Sequence, residues 1–180
     1  MGRARRSSKF SSLALVVDHY DTFRDVSSGK PRVTDYLVYV GIPLVLSGFA
    51  LGRDARAGHI PEVLAAVAIL TGLIFNVFVL LFDLTMRAAD QTDRAHLASI
   101  NKLADEVRAN VSYAVMLGLL LTVVFGGLAM FTDTSQPLSS IPTAVVVFLG
   151  VQLLMTISMI LKRIRALYRA FRTTGGERIP

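Results

Sequence analysis

The chain has 180 residues, enough for one domain, with 53% hydrophobic and 18% charged residues, a net charge of +6 and a mean hydropathy of +0.55. A water-soluble domain needs more charge than this to cover its surface, so the apolar excess is expected to face lipid. The absence of cysteine excludes disulfides, thiolate metal sites and thiol nucleophiles, and the basic residues flank apolar runs rather than forming a groove interleaved with aromatics, so nucleic acid is not an expected partner.

The N-terminal segment, residues 1–33, opens with Arg3, Arg5, Arg6 and Lys9. Its apolar run, Leu13 to Val17, is ended by Asp18, His19 and Asp21 without a small-x-small cleavage pattern, so no signal peptide is expected. Leu13, Val16, Val17, Tyr20 and Phe23 recur at helical spacing and predict a short amphipathic helix lying on the membrane surface.

Four apolar segments follow within residues 34–161, at about 36–52, 63–84, 111–131 and 141–161. A helix rising ~1.5 Å per residue needs about 20 residues to cross a hydrocarbon core of roughly 30 Å. The last three segments have that length; the first is shorter and contains Pro43, which predicts a kink near residues 41–43. Residues 85–110 contain neither Gly nor Pro, so helix is expected to continue out of the second span and back into the third. A turn is expected within residues 90–101, followed by an apolar stripe of Leu97, Ile100, Ala104, Val107 and Val111. Residues 162–180 form a basic amphipathic tail, with Ile164, Leu167, Tyr168 and Phe171 expected on one face and Arg165, Arg169 and Arg172 on the other.

Basic residues set the orientation. Seven precede the first span (Arg3, Arg5, Arg6, Lys9, Arg24, Lys30, Arg32), four lie between the second and third (Arg87, Arg94, Lys102, Arg108) and six follow the fourth (Lys162, Arg163, Arg165, Arg169, Arg172, Arg178). Only Arg53 and Arg56 fall on the other side. The positive-inside rule then predicts both termini in the cytoplasm. The expected fold is an all-α four-helix transmembrane bundle in the cell (inner) membrane, with helical cytoplasmic extensions. Its basic N-terminal segment and tail are suited to anionic lipid headgroups.

Polar side chains are costly in hydrocarbon, which singles out Asn76, Thr122 and Gln152 at similar depths in spans two, three and four, and Asp83 seven residues beyond Asn76. One reading makes them a polar lining; the other makes them interhelical hydrogen bonds, with Asp83 held in a salt bridge to Arg87 at the membrane rim. Small residues form a second constellation: Ala114, Gly118, Thr122 and Gly126 at intervals of four, Ala68 and Gly72 ahead of Asn76, and Gly48 with Gly52 as a GxxxG pair. Such residues let helix backbones approach closely. His59 with Glu62, or His96 with Asp93, offers two metal ligands without a third. No serine elbow, phosphate loop or intramembrane carboxylate pair is present, so neither catalysis nor a cofactor is expected.

These features predict a non-enzymatic membrane protein acting through a homo-oligomer or a partner membrane protein, in the manner of a pore or a defence- or toxin-type effector. The alternative is a small ion- or proton-coupled transporter using Asp83, Asn76 and Gln152. The span count is similar to that of the small multidrug transporters, but the first span lacks the membrane-embedded glutamate of that family.

Overall fold

The computed structural model describes residues 12–21, 33–89, 94–133 and 135–175. These form five helices: α1 (Ser12–Asp21), α2 (Val33–Gly52), α3 (Ile60–Ala89), α4 (Arg94–Phe131) and α5 (Ser140–Gly175). Three contain stretches long and apolar enough to cross a membrane, namely Ile60–Asp83, Ala104–Phe131 and Ser140–Ala166. Helix α2 contributes a shorter apolar stretch, Tyr36–Gly52, about 25 Å long.

The helices start where local chemistry directs. Pro61 occupies the first turn of α3, where a missing N–H leaves no gap in the ladder, and Glu62 places a carboxylate near the positive end of the helix dipole. His59 precedes it with a positive φ of 56°, turning the chain sharply into the helix. Pro142 stands in the first turn of α5 for the same reason as Pro61. Helix α2 stays helical through Pro43, whose side chain is fully buried, so the expected kink does not break the element.

Packing follows an order different from the sequence. Helix α4 lies between α3 and α5, α5 also packs against α2, and α1 docks on α4, while α2 and α3 do not touch among the described residues. The chain passes between those two edge helices by crossing the α4–α5 turn. The Leu138 N–H donates to the Ala57 carbonyl at 2.7 Å, and the Ala57 N–H donates to Thr143 Oγ1 at 3.0 Å. Leu138 and Ile60 are buried beneath this crossing.

The core runs along α4. Val107, Val111, Ala114, Leu117, Leu121 and Phe125 recur every three or four residues and are all buried, the stripe expected of a helix with neighbours on two sides. Where α3 meets α4, a Cβ added to Gly118 would overlap the Thr71 side chain, coming within 2.9 Å of its Cγ2.

The extensions beyond the apolar segments are helical. Helix α3 continues to Ala89 and α4 starts at Arg94; residues 90–93, within the stretch expected to hold the turn, lie outside the described residues, as do the side chains of Leu97 and Ile100. Val107 and Val111, which complete that stripe, pack inside the chain. Helix α5 runs without a break from Ser140 to Gly175. Of the tail's expected apolar face, Ile164 is partly buried against the core and Tyr168 is exposed.

Candidate functional site

The densest polar cluster sits where α1 meets the bundle. Val16, His19 and Tyr20 share one face of α1, as positions three and four apart do, and His19 is fully buried. Its ring stacks on Tyr113 of α4, with centroids 4.0 Å apart and planes 10° from parallel. It also meets Tyr39 of α2 at 5.2 Å, and Tyr20 stacks on Tyr36 of α2 at 5.7 Å. The Tyr36 hydroxyl donates to the Tyr20 carbonyl at 2.9 Å. Two residues of α1 thus occupy the space between α2 and α4, whose described backbones do not approach each other closely.

The hydrogen bonds have a readable direction. Asn110 Nδ2 donates to the Glu106 carbonyl at 2.7 Å, one turn earlier on α4. That fixes Asn110 Oδ1 as the acceptor, so the 2.7 Å contact with His19 is donated by His19 Nδ1–H. In the same way Thr156 donates its hydroxyl to the Gln152 carbonyl at 2.8 Å, so the Tyr39 hydroxyl is the donor in its bond to Thr156 Oγ1. Gln152, 4% exposed, faces Tyr20, Tyr39 and Tyr113, and its Oε1 accepts no hydrogen bond from a described residue. The Glu106–Arg163 pair, at 2.8 Å and mostly buried, ties α4 to α5 beside the cluster.

Electrostatics keep α1's contribution neutral. Burial disfavours the imidazolium of His19 and lowers its pKa to about 4, with the Asn110 bond opposing and the nearby Arg163 charge assisting. Burial also pushes the Tyr20 hydroxyl up to about 12, aided by Tyr113. At neutral pH the junction is therefore an uncharged aromatic and amide seal that holds an N-terminal helix on three others.

The intramembrane polar residues singled out by sequence are not brought together. Gln152 is buried in this cluster. Thr122 is half-buried and spends its hydroxyl on the Gly118 carbonyl of its own helix, at 2.8 Å. Asn76 lies on the exposed side of α3, a helix that does not touch α5. Asp83 is exposed further along α3, and the side chain of Arg87, its expected partner, lies outside the described residues.

The small residues divide in the same way. Ala114 and Gly118 are buried against neighbouring helices. Gly126 is half-buried with open space where a Cβ would point. Gly48, Gly52, Ala68 and Gly72 are exposed, and a Cβ at any of the three glycines would meet nothing within 4 Å. At the opposite end of the bundle, His59 and Glu62 border an open cleft with Ser135 and Gln136. No group of three metal-binding side chains occurs among the described residues.

Sequence reasoning missed His19, Asn110, Tyr113 and Thr156. A signal existed: His19 falls on the same face of α1 as Val16 and Tyr20, and a histidine on an otherwise apolar face asks for a polar partner. No family model, curated protein or solved structure matches the chain.

Proposed function

We propose that this chain is a non-enzymatic membrane protein that crosses the bilayer four times, α2 included, with both termini in the cytoplasm, and that it acts by assembling with other membrane helices. The charge bias of seventeen basic residues to two supports the orientation. Leu37, Val45 and Phe49 are each more than 60% exposed on α2, an outward apolar surface suited to hydrocarbon rather than water.

One observation carries the assembly reading. The two edge helices present Gly48, Gly52, Ala68, Gly72 and Asn76 outward, while the chain's own packing uses only Ala114 and Gly118 of the small residues expected to pack. A lone bundle needs no such outward pattern; an assembled one does. An assembly of this kind is suited to altering membrane permeability or to presenting the helices of residues 85–110 to a partner, with anionic lipid held by the basic N-terminal segment and tail. The transporter alternative loses support, because Asn76 and Gln152 lie on unconnected surfaces.

Mass measurement after extraction in a mild detergent tests the proposal. The expected result is a species of at least twice the 19.6 kDa chain or a stoichiometric co-purifying membrane protein. A monomer with no partner contradicts it.

A further inference from the structure

The helix α3 has two faces of different chemistry. Thr71 and Ile74 are buried, and Leu64, Val67, Leu70, Phe78 and Leu81 pack against the core. At about 100° per residue, Val67 and Ile74 lie roughly 180° and 200° from Asn76. Asn76 therefore points almost directly away from α4. It is exposed, and its amide makes no hydrogen bond to any described residue. It stands about 7 Å from the middle of the Ile60–Asp83 stretch, too deep for a short side chain to reach the headgroups. Lipid tails offer an amide nothing to bond.

The residues beside it alternate by three and four: Ala65, Ile69, Gly72, Asn76 and Val79, all exposed. That is the spacing of a helix–helix seam. Gly72, one turn from Asn76, has no Cβ to hold a second backbone away and nothing within this chain to fill the space.

We propose that this face is covered by the α3 of a second copy of this chain, inserted in the same direction, so that two Asn76 amides meet across a two-fold axis normal to the membrane. A carboxamide carries both a donor and an acceptor, so it is its own complement: each Asn76 donates to the other's Oδ1. Equal depth is guaranteed when both copies share one orientation, and the charge bias gives the chain one orientation. An apolar partner helix would leave the amide unbonded. The inference rests on the assembly reading above and narrows it to one surface and one partner.

The natural absence of cysteine makes the test direct. Single substitutions Ile69→Cys and Val79→Cys lie on the seam and keep Asn76, whereas Val77→Cys and Phe82→Cys are exposed but stand about 100° and 120° round the helix from Asn76. Oxidation in native membranes is expected to give disulfide-linked dimers for the first pair and not for the second. Asn76→Leu is expected to weaken association roughly tenfold, with Asn76→Gln retaining most of it. If the protein is oligomeric but all four positions cross-link alike, or Asn76→Leu leaves the affinity unchanged, the α3 seam is wrong while assembly stands. If the unsubstituted protein is monomeric in membranes, both readings fall.

Discussion

At the α1 junction, His19, Asn110 and Gln152 are buried among four tyrosines, and the polar contacts are made within the chain. On the outer face of α3, Asn76 is surrounded by Ile69, Gly72 and Val79 and meets no described polar atom. Both regions place amides where water is scarce; the first supplies partners to both ends of the Asn110 amide though not to Gln152 Oε1, and the second supplies none to Asn76. An amide without a partner away from water costs about 1–3 kcal/mol, a cost that the junction largely avoids, Gln152 Oε1 being its exception, and that the outer face of α3 does not avoid in a single chain. On the assembly proposed above, the junction serves folding and the α3 face serves association.

The junction can be broken through its titratable residue. The pKa of His19 falls from 6.5 to about 4 on burial, so the neutral imidazole is favoured in the docked state. Docking of α1 is therefore at full strength above pH 6.5, the undocked value, and weakens as pH falls towards 4. The loss approaches about 3 kcal/mol below the docked pKa. The groups facing His19 are Asn110, Tyr20, Tyr39 and Tyr113, with Arg163 and its partner Glu106 beside them. Spin labels on Val17→Cys and Asp105→Cys should report one short distance at pH 7.5 and a growing longer population between pH 6.5 and 4. A distance that stays single down to pH 4 would place His19 outside the account, and His19→Phe should abolish the acid response.

A smaller contrast sharpens the same comparison with one substitution at two places. Gly118→Ala puts a methyl into the Thr71 side chain and is expected to destabilise the bundle by about 1–3 kcal/mol. Gly48→Ala points into open space and should be neutral or stabilise α2 by about 0.5–1 kcal/mol through helix propensity. Unfolding titrations in mixed micelles check both. A loss at Gly48 as large as that at Gly118 would show that α2, rather than α3, carries the essential outward contact.

Much of the fold was legible because hydrocarbon imposes a length. The run at residues 63–84 reappears as Ile60–Asp83, that at 111–131 inside Ala104–Phe131 and that at 141–161 inside Ser140–Ala166, the last extended at both ends because helix continues wherever nothing stops it. The Gly- and Pro-free stretch from Leu73 to Leu117 similarly foretold that α3 and α4 would run on past their apolar stretches, to Ala89 and from Arg94. The position of α1 was not legible. Helical periodicity gives the apolar face of a helix but not whether lipid or protein covers it, and the choice is made by Asn110 and Tyr113, some ninety residues away. Nor could spacing tell Gly118 from Gly48. That depends on α3 and α2 standing on opposite sides of the α4–α5 pair, an order set by the crossing of Ala57 over Leu138 and Thr143. For the same reason Asn76 and Gln152, matched in depth, face different surroundings.

The proposed orientation underlies the assembly reading, since it requires α2 to be a span and would set copies of α3 in parallel. Single cysteines at Arg5→Cys, Arg56→Cys and Arg172→Cys, labelled with a membrane-impermeant maleimide in sealed vesicles of known sidedness, test it directly. Positions 5 and 172 should label from the cytoplasmic face and position 56 from the opposite one. Labelling of 5 and 172 from opposite faces would contradict the four-span arrangement and with it the parallel α3 pair.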